Sequence, residues 1–462
     1  MKSAKIQDMT TGKIIPMLIA FAIPIMGGNL FQQLYTVVDT MIVGRFLGVS
    51  ALAAVGAGGW MTWMLLGAIM GMSEGFANPV AQAFGAGDRE RVRKTMANSL
   101  ILSVIISVVL LILGQLIMIP MMKLLNIPDE IFDMALLYLR IYYVGAPAMM
   151  AYNYAACHLR ALGNSKDPVK AVIIASITNI ILDILFVGPM GMGIAGAVIA
   201  TIIAQVFAAV YSFICLFKID FVRFDRGDFA LQRTLCGRLL YMGIPMAFQN
   251  VVVSIGGIIL QLVVNLYGIT FIAGWTATSR LYGLLEVAGL SLAYALTTFV
   301  GQNRGAGNIE RTREGIRKAM MLALCASVIL AVIFIAFGKF ILMLFISGNP
   351  QEVEATMEVA YHYLATMSIC LPILYCLHII KCALVGLGNS TCPMWSGVAE
   401  LFMRAAGAFA LPVLWGEMSL VFAEPLAWLG ADVVMVLGYF MYMKKIADKE
   451  ENLSEMVVGE WE

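Results

Sequence analysis

Charged residues are scarce in this chain, and neither sign is in excess. Asp, Glu, Lys and Arg make up 13% of the 462 residues, and the formal net charge is +1. An average soluble domain carries about twice that charged fraction. The chain therefore lacks the basic surface that a nucleic-acid-binding protein needs. With 61% hydrophobic residues, the composition excludes a soluble enzyme and a disordered chain, and it indicates an integral membrane protein.

Paired cysteines and helix-borne metal motifs are also missing. The eight cysteines form no CxxC pair, and the three histidines are scattered without an HExxH pattern. These patterns favour ordinary packing residues over a disulfide framework or a zinc site. No convergent nucleophile or acid–base motif is visible either. We therefore predict a protein that is not an enzyme and that needs no cofactor beyond a coupling ion.

Long apolar runs are what the sequence has in abundance. A membrane-spanning backbone must satisfy its own hydrogen bonds, so it forms helices or a closed barrel, and barrel strands are only about ten residues long. Runs of about 20 apolar residues instead indicate spanning helices. Polar loops divide the chain into twelve predicted spans: 15–44, 52–84, 95–120, 132–160, 168–188, 192–217, 239–266, 271–302, 317–346, 355–385, 394–415 and 424–443.

The distribution of basic residues predicts the orientation. If the N-terminus is cytoplasmic, the segments on that side hold 23 of the 30 Lys and Arg residues, whereas the external segments hold three. Short cytoplasmic loops of membrane proteins carry such an excess of positive charge. We expect a multi-pass protein of the plasma (inner) membrane with both termini in the cytoplasm.

The two halves of the chain repeat each other. Residues 82–93 and 302–313 share the pattern Q-x-x-G-A-G-x-x-E-R-x-R, and the sequence LGNS occurs at 162–165 and again at 387–390. Ile23-Pro24 corresponds to Ile244-Pro245, an offset of 221 residues, while the LGNS loops are offset by 225. The glycines of the GAG turns suit a tight exit from a helix into a basic loop.

An even number of spans per repeat means that both copies face the same way. We predict an all-α polytopic membrane protein with twelve transmembrane helices, arranged as two six-helix bundles that are related by a pseudo-two-fold axis along the membrane normal. The predicted units are an N-terminal bundle at 1–217, a cytoplasmic linker at 218–238 and a C-terminal bundle with a short tail at 239–462. A substrate site between halves that rock against each other fits this arrangement.

The whole chain resembles the multidrug and toxic compound extrusion (MATE) transporters of bacterial type. The resemblance lies in the first span, with its IP dipeptide and VVDTMIVGRFLG (Val37–Gly48), in the QxxGAG turns after spans two and eight, and in the twin LGNS loops. It implies twelve helices in two bundles, a central cavity, and export of organic cations that is driven by inward sodium or proton flow.

Acids inside spans are costly and are therefore functional candidates. Asp39 lies in the first span, Asp183 and Asn179 share one helix face in the fifth, and Thr201 lies in the sixth. The repeat does not reproduce this set, because Asn179 aligns with Arg404 and Asp183 with Ala408. Their oxygens could bind Na⁺, or a desolvated carboxylate could take up a proton. The family resemblance assigns the cation-coupling role to the same four positions.

Weaker candidates could line a substrate cavity. They are Gln33, Tyr35, Trp60, Trp63, Met72 and, in the C-terminal half, Glu286. Glu400 and Arg404 are four residues apart on one helix, a spacing that predicts an intrahelical ion pair. No catalytic residue and no further metal site is predicted.

The expected function is cation-coupled (H⁺ or Na⁺) efflux of amphipathic, mostly cationic compounds by alternating access. The alternative within the same superfamily is a flippase for lipid-linked precursors, which extra spans and a strongly cationic cavity would favour. The expected partners are small-molecule drugs and the lipid bilayer, without nucleic acid. We expect a functional monomer, because a single chain holds both halves of the pathway.

Overall fold

The computed structural model describes residues 6–343, 346 and 350–459, with residues 49 and 449–459 described by their backbone alone. Within these residues all regular structure is helical. The α-helices are α1 (Ile14–Ala57), α2 (Gly59–Gly85), α3 (Arg89–Leu124), α4 (Asp129–Val144), α5 (Ala146–Ala161), α6 (Lys166–Val187), α7 (Gly193–Phe217), α8 (Arg233–Val264), α9 (Ile269–Gly305), α10 (Ile309–Leu342), α11 (Pro350–Gly386), α12 (Thr391–Trp415) and α13 (Ala423–Gly459).

Twelve membrane spans emerge from these helices. Ten are long and apolar enough to cross a membrane alone, and two more are helix pairs bent by 41° and 46°. The first bent pair includes the end of α1, which is interrupted at Gly48 (φ 82°). Glycine suits that break because side chains rarely tolerate a positive φ. Each predicted span overlaps one of the twelve.

The helices form two bundles of six spans, which confirms the predicted fold class. In the N-terminal half the spans come from α1 to α7, and in the C-terminal half they come from α8 to α13. Equivalent helices pack alike, so that α6 lies against α7 as α12 lies against α13, and the halves meet through α1 and α2 against α8 and α9. The exact unit boundaries stay a prediction, with α8 beginning at Arg233 inside the expected linker.

The equivalent helices α3 and α10 form part of the lipid-facing surface. Only 17% of the most apolar stretch of each is buried within the protein. On α3 the buried positions Ser99, Ser103 and Ser107 follow one another at four-residue intervals, while Val104 and Val108 are exposed. Small polar residues let membrane helices approach closely and keep hydroxyl groups out of lipid. The serine stripe therefore orients α3 toward its own bundle.

The repeated motifs meet each other across the two halves. Gln82 of the first QxxGAG motif donates a hydrogen bond to the Gly386 carbonyl, immediately before the second LGNS loop, at 3.0 Å. Gln302 of the second motif donates to the Ala161 carbonyl, immediately before the first LGNS loop, also at 3.0 Å. Each motif glutamine thus binds a helix end in the opposite half. This reciprocal pair closes the face of the molecule that carries these loops.

The first glycine of each GAG turn serves this closure. A Cβ atom at Gly85 would overlap the carbonyl oxygen of Gln302, and one at Gly305 would overlap the carbonyl oxygen of Gln82. The last glycines of the two turns, Gly87 and Gly307, have φ values of 73° and 76°. They end the helix in a tight turn, as the sequence predicted. The motif therefore combines a turn with a close backbone crossing, and the crossing is the part that sequence analysis missed.

The segment before α1 lies in the same closed face. Met9 is fully buried, and its backbone nitrogen donates to Gln302 Oε1 at 2.9 Å. Its carbonyl accepts a hydrogen bond of 2.9 Å from Asn303, while Arg311 donates to the Thr11 carbonyl at 3.0 Å. Met9 and Thr11 are therefore held by the C-terminal half, whereas Gln7 donates a hydrogen bond of 3.1 Å to the Gly163 carbonyl of the N-terminal half.

We predict that Gly85→Ala destabilises the closed face. The added methyl group would meet backbone rather than a mobile side chain, and overpacking of this kind costs about 1–3 kcal/mol. Thermal unfolding in detergent should show a lower Tm. The matched control is Gly27→Ala in α1, where a Cβ would have no neighbour within 4 Å. Equal Tm values for the two variants would contradict the crossing geometry.

Candidate functional site

A polar stripe runs along α6 inside the N-terminal half. Asn179 is 1% exposed and Asp183 is 0% exposed, and Ser176 is buried on the same face. The opposite face presents Ile177, Ile181 and other large apolar side chains outward. Because lipid cannot solvate polar groups, the helix turns its polar face toward α1 and α7. The sequence pattern alone thus places Asp183 in the interior of the bundle.

Two carboxyl groups meet at this stripe. Asp39 on α1 and Asp183 on α6 lie within hydrogen-bonding reach of each other, if one of them carries a proton. Both Asp183 oxygens and Oδ1 of Asp39 are buried without a hydrogen-bond donor in the described part of the chain. A buried carboxylate without a donor or a counter-charge is strongly unfavourable. The pair would therefore be stabilised by a proton or by another cation.

An amide and a hydroxyl extend the cluster. Asn179 Nδ2 approaches Thr201 Oγ1 at 3.4 Å, and this hydroxyl donates to the Ala197 carbonyl at 3.2 Å. Asn179 Oδ1 is another buried oxygen without a donor among the described residues. The structure thus brings together all four predicted coupling residues from α1, α6 and α7. The four side chains therefore form one polar cluster in the interior of the N-terminal bundle.

Asn179 and Thr201 line an open cavity with about 370 Å³ of empty space, and Asp39 and Asp183 are not among its lining residues. Its polar wall comes from the same three helices and from α5, and its apolar wall consists of small residues. Gln205 Oε1 in this wall is buried, with no donor in the part of the chain that the structure describes. The lining residues are Gln32, Tyr35, Tyr152, Val172, Ala175, Ser176, Asn179, Thr201, Ala204, Gln205 and Ala208.

Two tyrosines flank the acids. Tyr35 on α1 was a cavity candidate, and it does line the cavity. Tyr138 on α4 also faces Asp39 and Asp183, and it stacks with Tyr142 at 6.0 Å between ring centroids. Sequence analysis missed Tyr138. The available signal was a tyrosine pair spaced by four residues in an amphipathic helix of the same half.

The other cavity candidates lie elsewhere. Trp63 is 61% exposed on the outer surface, and Gln33 lies against Gly283 of the opposite half. Trp60 packs on Gly257 and Met72 on Gly243, both across the interface between the halves. Glu286 lies in the C-terminal half. None of these five lines the cavity beside the two acids.

Comparison with known proteins agrees with this architecture. The family model MatE matches residues 24–185 and 245–409, one match in each half. The chain belongs to the MatE family. The resemblance to MATE transporters is thereby confirmed.

Several curated relatives of this MatE chain are named as probable multidrug resistance proteins. A probable multidrug resistance protein YpnP of Bacillus subtilis (strain 168) is 29% identical over 349 residues, which cover 76% of this chain and 78% of the relative. A probable multidrug resistance protein NorM of Thermotoga maritima is 28% identical over 348 residues, covering 73% of each chain. A MOP superfamily transporter structure from Pyrococcus furiosus superposes with a TM-score of 0.87 at 23% identity, covering 97% of this chain and 99% of that one.

The N-terminal site of the MatE chain suits a monovalent cation. Its polar groups are two carboxylates, an amide and a hydroxyl, and their oxygens are hard donors. Among the described residues, no three His, Cys, Asp or Glu side chains are grouped so that they could hold a metal ion. Two carboxylates within reach of each other can also share one proton. Sodium and proton are therefore both compatible with the residues.

The C-terminal half of the MatE chain holds a different charged cluster. Arg404 Nη2 lies 2.6 Å from Glu400 Oε1 and 2.9 Å from Glu424 Oε2. Its Nη1 donates to the Val253 carbonyl at 3.2 Å. The predicted Glu400–Arg404 pair is therefore present. Glu424, at the start of α13, completes it and was not identified from the sequence.

Glu286 belongs to the same half, where His378 Nε2 lies 3.2 Å from its Oε1. A second cavity, of about 460 Å³, lies between the halves and is lined by residues that include Glu74, Arg160 and Tyr294. The Arg160 guanidinium lies over the Tyr294 ring at 5.3 Å from its centroid. Charged groups thus occur both within each half and at their interface.

We predict that Asp183→Asn stabilises the MatE chain at pH 8. The new amide supplies the donor that Asp39 lacks, and it removes one of two adjacent charges. A gain of about 1 kcal/mol is expected, which corresponds to a Tm rise of about 2 °C. At pH 5 the gain should shrink, because a proton on the wild-type pair provides the same donor.

The matched control is Asp167→Asn on the same helix. Asp167 already accepts hydrogen bonds of 2.7 Å from Lys170 and Asn164, so its replacement should lower Tm slightly or leave it unchanged. A Tm for Asp183→Asn below that of Asp167→Asn at pH 8 would rule out an unsatisfied carboxylate pair.

Proposed function

We propose that this protein is a cation-coupled (H⁺ or Na⁺) antiporter that exports amphipathic, mostly cationic organic compounds. One observation carries the proposal. Two acids inside a membrane bundle have three buried oxygens that lack a donor among the described residues, and their neighbours Asn179 and Thr201 line a cavity. Such a pair is stabilised by a cation that can enter and leave.

The coupling mechanism follows from the helices that hold the ligands. Asp39 is on α1, which also packs against α9 of the opposite half. Asn179 and Asp183 are on α6, and Thr201 is on α7. Cation binding draws these three helices together, and its loss leaves two carboxylates that repel. The cation thus favours one packing of α1, and it shifts the balance between two states by its difference in affinity for them.

Alternating access requires a face that closes and opens again. The reciprocal Gln82 and Gln302 hydrogen bonds close one face in this structure. They are few, and each joins neutral groups, so each contributes only about 0.5–1.5 kcal/mol. A movement of one bundle relative to the other is therefore able to release them, because one bond joins α2 to α11 and the other joins α9 to the end of α5. This is the step at which the ion gradient would act on the pathway.

The substrate class is inferred from the cavities and from the relatives. The cavity beside the two acids carries tyrosine rings and amide groups, and the cavity between the halves includes Glu74. Aromatic faces and carboxylates attract organic cations. The names of the curated relatives, as multidrug resistance proteins, support the same class. The twelve spans favour this proposal over a flippase, for which additional spans would be expected.

We expect Asp39→Asn and Asp183→Asn each to abolish gradient-driven export. The measurement is efflux of a fluorescent organic cation from proteoliposomes, with sodium and proton gradients imposed separately. Asp167→Asn serves as the control, because that acid lies on α6 outside the cluster. Full gradient-driven transport by Asp39→Asn would overturn the assignment of the coupling site.

Thr201 separates the two coupling ions. A hydroxyl oxygen is a ligand for Na⁺ but is not needed to protonate a carboxylate pair. If sodium couples, Thr201→Val should raise the sodium concentration for half-maximal transport by about tenfold, the equivalent of about 1.4 kcal/mol. Thr201→Ser keeps the hydroxyl and should behave as wild type. If protons couple, both variants should retain the wild-type pH profile.

The location follows from the excess of positive charge in alternate loops. We propose the inner membrane, with both termini in the cytoplasm. A fluorescent protein fused after residue 462 should fluoresce, and alkaline phosphatase at the same position should be inactive. Active phosphatase there would reverse the orientation.

A further inference from the structure

The two halves treat one position in opposite ways. In the N-terminal half the junction of α1, α6 and α7 contains the cavity of about 370 Å³. The corresponding junction in the C-terminal half is formed by α8, α12 and α13. It contains the Arg404 guanidinium, and the Arg404 side chain is only 5% exposed. Where one half has space, the other has a positive charge.

The repeat shows that the two places correspond residue by residue. With the 225-residue offset of the LGNS loops, Ala175 and Asn179 in the cavity wall correspond to Glu400 and Arg404. The 221-residue offset of the Ile-Pro dipeptides relates Gln32 to Val253 and Tyr35 to Gly256. Four lining residues of the cavity therefore have counterparts in the arginine cluster.

The three counterparts other than Arg404 itself contact its guanidinium or leave space for it. Glu400 forms an ion pair with it, and the Val253 carbonyl accepts a hydrogen bond of 3.2 Å from Nη1. A Cβ at Gly256 would lie 2.9 Å from Nη1, so a side chain there would displace the arginine. In the N-terminal half the same position carries Tyr35, whose side chain borders the cavity. Glu424 of α13 supplies the second carboxylate.

The counterparts of the two N-terminal acids are apolar in this half, and Asp432, whose Oδ1 is buried without a donor among the described residues, forms no salt bridge with Arg404. Asp39 corresponds to Leu260 and Asp183 to Ala408, and both of these replacements are buried and apolar. The acids that face Arg404 are Glu400 and Glu424. Asp432 lies near Glu400, and Glu286, paired with His378, lies near Glu424.

We propose that Arg404 is a tethered cation that permanently occupies the C-terminal counterpart of the N-terminal cation site. Its guanidinium holds α8, α12 and α13 together through one carbonyl and two carboxylates. A covalently attached cation does not exchange with solvent, so this half keeps the packing of a loaded state. The N-terminal half alone then responds to the ion gradient. The role in transport rests on the proposed coupling at Asp39 and Asp183, whereas the occupied site stands without it.

The binding test removes the Arg404 side chain and supplies guanidinium as a free ion in solution. The variant Arg404→Ala leaves Glu400 and Glu424 around a space that has the shape of a guanidinium ion. Millimolar guanidinium chloride should raise its Tm by about 2–4 °C, because a ligand stabilises the state to which it binds. Urea, a neutral molecule of the same shape, and sodium chloride at equal concentration should not. All proteins in this test carry Asp39→Asn and Asp183→Asn, which remove the N-terminal acids.

The matched control is the triple variant Glu400→Gln, Arg404→Ala and Glu424→Gln in the same background. It has a similar space without the carboxylates and should show no response to guanidinium. An equal Tm rise in the single and triple variants, or none in either, would overturn the proposal. If Arg404→Ala fails to fold but the triple variant folds, the two carboxylates that lost their cation caused the failure. That result would support the proposal. Failure of both variants would mean that Arg404 acts by packing.

The transport test uses the wild-type N-terminal acids. Arg404→Ala in proteoliposomes should lose most gradient-driven export, and guanidinium on both sides should restore it, whereas urea should not. Rescue of Tm without rescue of transport would leave the occupied site standing and would refute its part in the mechanism. Guanidinium-independent full transport by Arg404→Ala would also refute that part. Loss of coupling in Asp39→Asn is measured separately, so the two proposals can fail independently.

Discussion

A carboxylate inside a membrane bundle needs a positive charge close by, and this requirement governs both halves of the molecule. Water is largely excluded there, so neither side-chain dipoles nor long-range fields offset the cost of the charge. In the N-terminal half, Asp39 on α1 and Asp183 on α6 lie close together, and three of their oxygens are buried without a hydrogen-bond donor among the described residues. In the C-terminal half, Glu400 and Glu424 share Arg404. The C-terminal acids thus have an arginine as their partner, whereas the N-terminal acids have no such partner among the described residues.

Gene duplication explains why the two solutions occupy corresponding helices. The halves retain their helix packing, their LGNS loops and their QxxGAG turns, because these elements form the interface itself. A symmetric interface needs both copies of each motif, since Gln82 and Gln302 each bind the opposite half. The interiors of the bundles are not held to that symmetry. Function therefore diverged inside the bundles while the contacts between them stayed equivalent.

Most of the fold was predictable from hydropathy and repetition. Apolar runs of spanning length identified twelve spans, because lipid leaves a backbone little choice but a helix. The acids of the site were also predictable, since Asp39 and Asp183 stand alone in apolar stretches. Glu424 was not, because it lies at the start of α13, where polar residues are common, and Tyr138 was not, because a tyrosine in an amphipathic helix is usually an ordinary packing residue. Contacts between distant helices determine their roles, and a single sequence contains no direct measure of such contacts.

The aromatic candidates show the limit of composition. Trp60 and Trp63 occur in one short motif, yet Trp60 packs against Gly257 in the other half and Trp63 is largely exposed. The two residues are three positions apart, so they lie only about 60° apart around α2, yet one packs against the opposite half and the other is exposed. Which surface meets a cavity depends on the neighbouring helices, so the residue type alone was not informative.

The burial of Met9 has a consequence for the order of assembly. Its backbone nitrogen binds Gln302, a partner 293 residues farther along the chain. During synthesis this partner does not exist until most of the protein has left the ribosome. Gln7 can already bind the Gly163 carbonyl of the first half, but the Met9 backbone has no partner until eight spans have entered the bilayer. The docking of Met9 is therefore a late step in biogenesis, and it becomes possible only after the second half has inserted.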